Sequence, residues 1–129
     1  MKTCSNDHWR LLLPDDWVCE SEEDTRLIYH PGGIGTLEIT PSLQPEAIDD
    51  EDLRYFASEQ IEQGVQPAAV TVGDFSGIEL IYEHDDLYWR DWLLRNDDLL
   101  LLATYTCPPG LETKEEGMLD VMMATLKRR

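Results

Sequence analysis

The sequence predicts an α+β domain in which helices pack on an antiparallel β-sheet, and three observations point to it. Short runs with strand-type alternation fill much of both halves of the chain. Two segments carry apolar residues at helical spacing, with capping and charge signals at their ends. In the second half, adjacent strand-like runs are separated only by tight polar turns, the mark of an antiparallel meander. The element order read from these signals is roughly ββββ-α-ββββ-α. It forms a single domain over residues 1–129 with its core at about 8–127.

The elements follow in order. Trp9 to Leu13 is a short apolar run stopped by Pro14, and Asp15-Asp16 turns the chain into Trp17 to Glu20. Glu22-Glu23-Asp24 is a polar turn, and Arg26 to His30 reads as strand through Leu27, Ile28 and Tyr29. Pro31-Gly32-Gly33 breaks it. Gly35 to Thr40 alternates, with Leu37 and Ile39 on one side and Thr36, Glu38 and Thr40 on the other, which predicts a half-buried strand. After a loop with Pro41 and Pro45, Asp49 is the expected N-cap of the first helix. Asp50, Glu51 and Asp52 lie in its first turn, where the helix dipole favours negative charge. Leu53, Phe56, Ala57, Gln60 and Ile61 form its mostly apolar face, and Gly64 sits at the expected C′ position.

Val70 to Phe75 and Gly77 to Glu83 are strands; in the second, Ile78, Leu80 and Tyr82 point inward and Glu79 and Glu83 point to water. His84-Asp85-Asp86 turns into Leu87–Arg95, and Asn96-Asp97 into Asp98–Cys107. Leu99 to Leu102 does not alternate, which predicts a central strand covered on both faces. Pro108-Pro109-Gly110 ends the meander. Thr113 and Glu116 have the spacing of a capping box, Leu119, Met122, Met123 and Leu126 mark a buried helical face, and Lys127, Arg128 and Arg129 fall at its expected C-terminal end.

The 129 residues carry 10 Lys and Arg against 27 Asp and Glu, a net charge of −17. The acid is spread over the whole chain. Such a field repels phosphate backbones and anionic membrane surfaces, so nucleic acid and membrane insertion are not the expected partners. The longest apolar run, Leu99 to Ala103, is far short of the ~20 residues a membrane helix needs. Met1 to Asp7 contains no apolar run, so no signal peptide is expected. Cys4, Cys19 and Cys107 are odd in number and show no CxxC spacing, which predicts reduced thiols and a cytoplasmic location.

The opening Leu13-Pro14-Asp15-Asp16-Trp17 resembles the "hydrophobic-Pro-x-x-Trp" entry of PsbP-like domains. The strand pairs, the Asp-rich helix, Gly77 before the long meander and the terminal helix follow in the same order, so the resemblance spans roughly residues 8–127. It implies a PsbP-like α/β/α sandwich. Members of that fold include a photosystem II extrinsic subunit, a nuclear transport protein that binds the small GTPase Ran, and bacterial chaperones of type VI secretion effectors. A small bacterial cytoplasmic member akin to those chaperones is the nearest comparison, and the shared expectation is binding rather than catalysis. None of their binding motifs maps onto residues here.

No catalytic set is legible. Pro31-Gly32-Gly33-Ile34-Gly35-Thr36 lacks the Lys of a phosphate loop and precedes a strand, so it reads as a turn. His8, His30 and His84 have no zinc spacing. His84-Asp85-Asp86 reads as a solvated turn rather than a cation loop, because the alternating acids of an EF-hand are absent. No serine sits in GxSxG, no cysteine has a histidine at a diagnostic position, and no cofactor is expected. The most informative constellation is Tyr88-Trp89-Arg90-Asp91-Trp92, where strand alternation mixes aromatic and charged residues on both faces. Tyr88, Trp89, Arg90 and Trp92 are therefore the candidate protein-binding surface, with core packing as the competing account. The expected function is a non-enzymatic binding or adaptor domain, in one form a chaperone-like binder of a client protein; a second copy of the chain is one candidate partner. The alternative is an acidic mimic or inhibitor of a basic, nucleic-acid-binding protein.

Overall fold

The computed structural model describes all residues from Met1 to Arg129. Strands β1 (Lys2–Ser5), β2 (Trp9–Leu13), β3 (Val18–Glu22), β4 (Thr25–Tyr29) and β5 (Thr36–Leu43) precede helices α1 (Asp50–Phe56) and α2 (Ser58–Glu62). The meander β6 (Ala68–Val72), β7 (Phe75–His84), β8 (Leu87–Asn96) and β9 (Leu99–Cys107) follows, then α3 (Glu116–Met123) and β10 (Lys127–Arg128). One sheet has seven strands in the order β3-β4-β5-β9-β8-β7-β6, and a smaller one has the order β1-β2-β10. Every pairing is antiparallel.

The large sheet is the middle layer. Beneath one face lie the small sheet and α3, whose Trp9, Leu11, Leu13, Leu119, Met122 and Met123 close the main core on Ile28, Leu37, Ile39, Trp92, Leu94, Leu101 and Tyr105. On the other face Leu53 of α1 and Ala57, which caps it, sit on Ile78, Leu80, Leu93 and Leu100, forming a second, smaller core. β9 lies between β5 and β8, and Leu99, Leu100 and Leu101 are all buried, but Leu102, expected to be covered with them, is 40% exposed on the part of the face that the helices leave open. Covering on both faces is what removes the alternation from their sequence.

Turn chemistry sets the register. The β7–β8 hairpin turns on Asp85 and Asp86, both at positive φ (52° and 61°), a pattern that suits the twist of a two-residue hairpin and that Asp tolerates better than most residues. At α1, Asp49 accepts from the Asp52 amide at 2.8 Å and Asp52 accepts from the Asp49 amide at 3.0 Å, a full capping box. At the end of α2, Gly64 has φ +98°, and the Gly64 and Val65 amides bond the Ile61 and Gln60 carbonyls, a Schellman closure.

Several expectations are corrected. Five strands precede the first helix, because Lys2–Ser5 pairs with β2. The first helix breaks at Ala57, and Phe56 turns out to 44% exposure instead of joining the buried face. Glu79 is not a solvent residue: its side chain is only 15% exposed and pairs with Arg90. The Thr113–Glu116 capping box does not form; a 3₁₀ turn occupies Glu112–Lys114 and α3 starts without a side-chain cap. The carboxylate drawn inward there is Glu115, 7% exposed, which accepts from the Tyr105 hydroxyl at 2.7 Å and the Gly35 amide at 2.8 Å. The glycine-rich loop thus wraps an internal carboxylate, and a Cβ on Gly35 would stand 2.4 Å from the Thr106 carbonyl oxygen.

Leu126 to Arg129 is not the end of a helix either. Lys127 and Arg128 pair with β2, and Arg128 donates to the Asn96 carbonyl at 2.6 Å and to Asp98 at 2.9 Å. Gly73, at φ +56°, admits this segment: a Cβ there would lie 1.9 Å from the Leu126 oxygen. Finally, Cys4 and Cys19 are not reduced thiols. They form a disulfide joining the small sheet to edge strand β3, while Cys107 is free and buried. No helix is long and apolar enough to cross a membrane.

Candidate protein-binding face

α1 and α2 cover only one end of their face of the large sheet, and strand register identifies what the rest presents. Residues directly opposite share a face. One row runs Tyr82, Trp89, Thr106, Thr36; the next runs Leu80, Asp91, Thr104, Glu38, Leu27, Glu20; a third runs Ile78, Leu93, Leu102, Thr40. Beyond the helices these side chains are half-buried or exposed, with Leu102 at 40%.

The aromatic end of this face is ordered by its own contacts. The Trp89 and Tyr82 rings are parallel, 7° apart with centroids at 6.0 Å. The Trp89 indole N–H donates to the His84 carbonyl at 3.0 Å, and the Tyr82 hydroxyl donates to Asp91 Oδ2 at 2.7 Å. Burial pushes the Tyr82 hydroxyl pKa upward, and Asp91 accepting its proton adds to the shift. Burial also raises the Asp91 carboxyl, outweighing the Tyr82 and Thr104 hydroxyls that favour its charged form. Asp91 Oδ1 is buried with no partner in hydrogen-bonding geometry. Beside it a shallow cleft of about 170 Å³, lined by Phe56, Gln60, Leu102 and Thr104 among others, runs under the α1–α2 junction.

The charge on the face is one-sided. Glu20, Glu22, Glu38 and Asp91 lie on it, and its one Lys or Arg, Arg95, is held by Asp50 at 3.0 Å at the helix-covered end.

The structure separates the four candidates read from the sequence. Only Trp89 stands on this open face. Tyr88, Arg90 and Trp92 lie on the opposite, core-side face, and the correction is greatest for Trp92, which is 1% exposed. Arg90 does sit over the Trp92 ring, at 4.4 Å, but as an internal clamp. It donates to Glu79 at 3.1 Å and to Asp120 of α3 at 2.8 Å. Burial opposes its charge, but the two carboxylates prevail and move its pKa up. Tyr88 packs against the main core, and burial raises its hydroxyl pKa.

Sequence reasoning missed Tyr82, Asp91, Leu102, Thr104 and Phe56 as members of one surface. The signal for them was the alternation of β7, β8 and β9 combined with a helix too short to cover the sheet.

The histidines stand apart. His30 Nε2 lies 3.1 Å from Asp16, and its Nδ1 accepts from the Gly32 amide, while His84 Nε2 lies 3.2 Å from Asp85 on the exposed hairpin turn. No group of three or more His, Cys, Asp or Glu is placed to hold a metal ion.

Neither a protein-family model nor a curated protein sequence matches the chain. Solved structures do. A protein of Bacteroides thetaiotaomicron VPI-5482 superposes with a TM-score of 0.69 at 20% identity over 94% of this chain, which spans 45% of that protein. LpqN, described as involved in cell envelope biogenesis of Mycobacterium tuberculosis, gives 0.59 at 17% identity, covering 93% of this chain and 82% of LpqN. Cyanobacterial PsbP of Synechocystis sp. PCC 6803 gives 0.53 at 11% identity, covering 99% and 92%. At such identities the likeness is one of fold, and the fold of this chain is PsbP-like.

Proposed function

We propose that the chain is a non-enzymatic protein-binding domain that receives a basic, partly apolar segment of a partner on the open half of its large sheet. The observation that carries this reading is the pairing of an ordered aromatic shelf, Trp89 on Tyr82, with a face whose unpaired charges are all carboxylates. Aromatic surface supplies contact area at low conformational cost, and complementary charge speeds and orients encounter. A client segment held in this way is the chaperone-like form of the reading. It also absorbs the motive for an acidic mimic, since both call for a positively charged partner.

The test uses a peptide that alternates Arg and Leu, titrated into the isotope-labelled protein. Expected are saturable shifts at the Trp89 indole and at the Leu102, Thr104 and Thr106 amides, weakened by added salt and lost in Trp89→Ala. Shifts scattered over the acidic surface, or unchanged by that substitution, would overturn it.

A further inference from the structure

Arg10 and Lys127 stand directly opposite each other where β10 pairs with β2. Both are exposed, and neither has a carboxylate within ion-pairing distance. Like charges set face to face across strands are destabilising. In a chain with 27 acidic residues and only 10 Lys and Arg, a carboxylate neighbour would have been easy to supply. Two cations are instead left together without one.

They sit beside a cleft of about 350 Å³ whose other walls are Thr3, Leu11, Leu12 and Thr125. Along this side of β2, β10 pairs only with Arg10 and Trp9. Next along β2, the Leu12 amide turns to the Thr125 hydroxyl at 2.8 Å, and that hydroxyl donates to the Met122 carbonyl at 2.7 Å. The Thr125 oxygen is thereby occupied, which leaves its methyl group and the 40% exposed Leu12 side chain to give the cleft an apolar lining.

We infer that this cleft is a binding site for a small organic monoanion, a carboxylate on a short apolar body. Arg10 and Lys127 would hold the carboxylate, and Leu12 and the Thr125 methyl the hydrocarbon. The size falls in the range of small-molecule sites, roughly 300–1,000 Å³. The net charge of −17 narrows the class further, because each additional negative charge on a ligand meets the repulsion of the whole protein. One carboxylate with an apolar tail therefore suits the site better than a phosphate. The site lies on the small sheet, away from Trp89, and does not depend on the reading of that face.

The experiment titrates hexanoate into the labelled protein at physiological salt and follows the Thr3, Leu12, Thr125 and Lys127 amides. Expected is saturable binding, with hexan-1-ol and inorganic phosphate each weaker by about tenfold or more. The double variant Arg10→Gln, Lys127→Gln should lose hexanoate affinity by about tenfold or more. It should remain folded with a thermal midpoint close to that of the unmodified protein, because both side chains are exposed and make no ion pair. The contrast between hexanoate and hexanol on the unmodified protein decides the matter even without a variant. No saturation at millimolar hexanoate, equal binding of the alcohol, or full affinity in the double variant would each overturn the assignment.

Discussion

Trp89 lies flat against Tyr82 on one face of the large sheet, whereas Trp92, farther along the same strand, is buried on the other. Two tryptophans that look equivalent in sequence therefore belong to different layers. Trp89→Ala should cost about 1 kcal/mol, the scale of an aromatic pair at a partly open site. Trp92→Ala should cost about 3–5 kcal/mol, because it empties a core position. Denaturant unfolding of the two variants checks this, and equal costs would mean that the face assignment is wrong.

Arg90 is the second residue whose role changes with its face. With its side chain 13% exposed and bonded to Glu79 and Asp120, it ties α3 to the sheet. Arg90→Met strands Glu79, itself 15% exposed, beside apolar surface, and should cost about 3 kcal/mol. Asp120 is 60% exposed, so Asp120→Asn should cost no more than about 1 kcal/mol. An Arg90 variant as stable as the Asp120 variant would show that the clamp carries little energy.

Local signals made much of the fold legible. Asp49–Asp52, Gly64 and the Asp85-Asp86 turn each act within a few residues and are realised where the local chemistry placed them, and the Leu99–Leu102 run is buried except at Leu102. Several of the failures were decided by partners distant in sequence. Glu115 is claimed by Gly35 and Tyr105, so the capping box beside it is not used. Lys127 and Arg128 are claimed by β2, although their charge suits a helix end just as well. On β8, alternation separated Trp89 from Arg90 and Trp92 correctly, but it could not tell which face α3 would cover. That depends on where the chain crosses, and no local pattern in β8 encodes it.

The cysteine reading failed for the same reason. Cys4 and Cys19 carry no spacing motif, yet β1 on the small sheet and β3 on the large one bring them within bonding distance across the core. Their pairing removes the support that reduced thiols lent to a cytoplasmic location, since disulfides persist in oxidising compartments. With a sequence separation of 15, the crosslink should stabilise the domain by about 3 kcal/mol through restriction of the unfolded chain. Reductant, or Cys4→Ser with Cys19→Ser, should lower the thermal midpoint accordingly. A midpoint indifferent to reductant would show that the pair contributes nothing.

Asp91 makes the open face sensitive to pH, and the sign follows from its burial. Its carboxyl is raised above the ordinary value of 3.8, chiefly by desolvation, so the folded protein holds this proton more tightly than the unfolded chain does. Where the folded state binds more protons, stability falls as pH rises. Asp91 thus weakens the fold above its folded pKa, and the penalty disappears as pH drops toward the unfolded value. Asp91→Asn keeps an acceptor for the Tyr82 hydroxyl and removes the buried charge with its unpartnered Oδ1. The variant should therefore melt at a higher temperature than the unmodified protein at neutral pH, with the gap closing as the solution is acidified toward pH 3.8. Thermal melts of both proteins across that range decide it. A gap that stays constant with pH would place the effect in packing, and a gap of opposite sign would mean that the hydroxyls donating to Asp91 outweigh its desolvation.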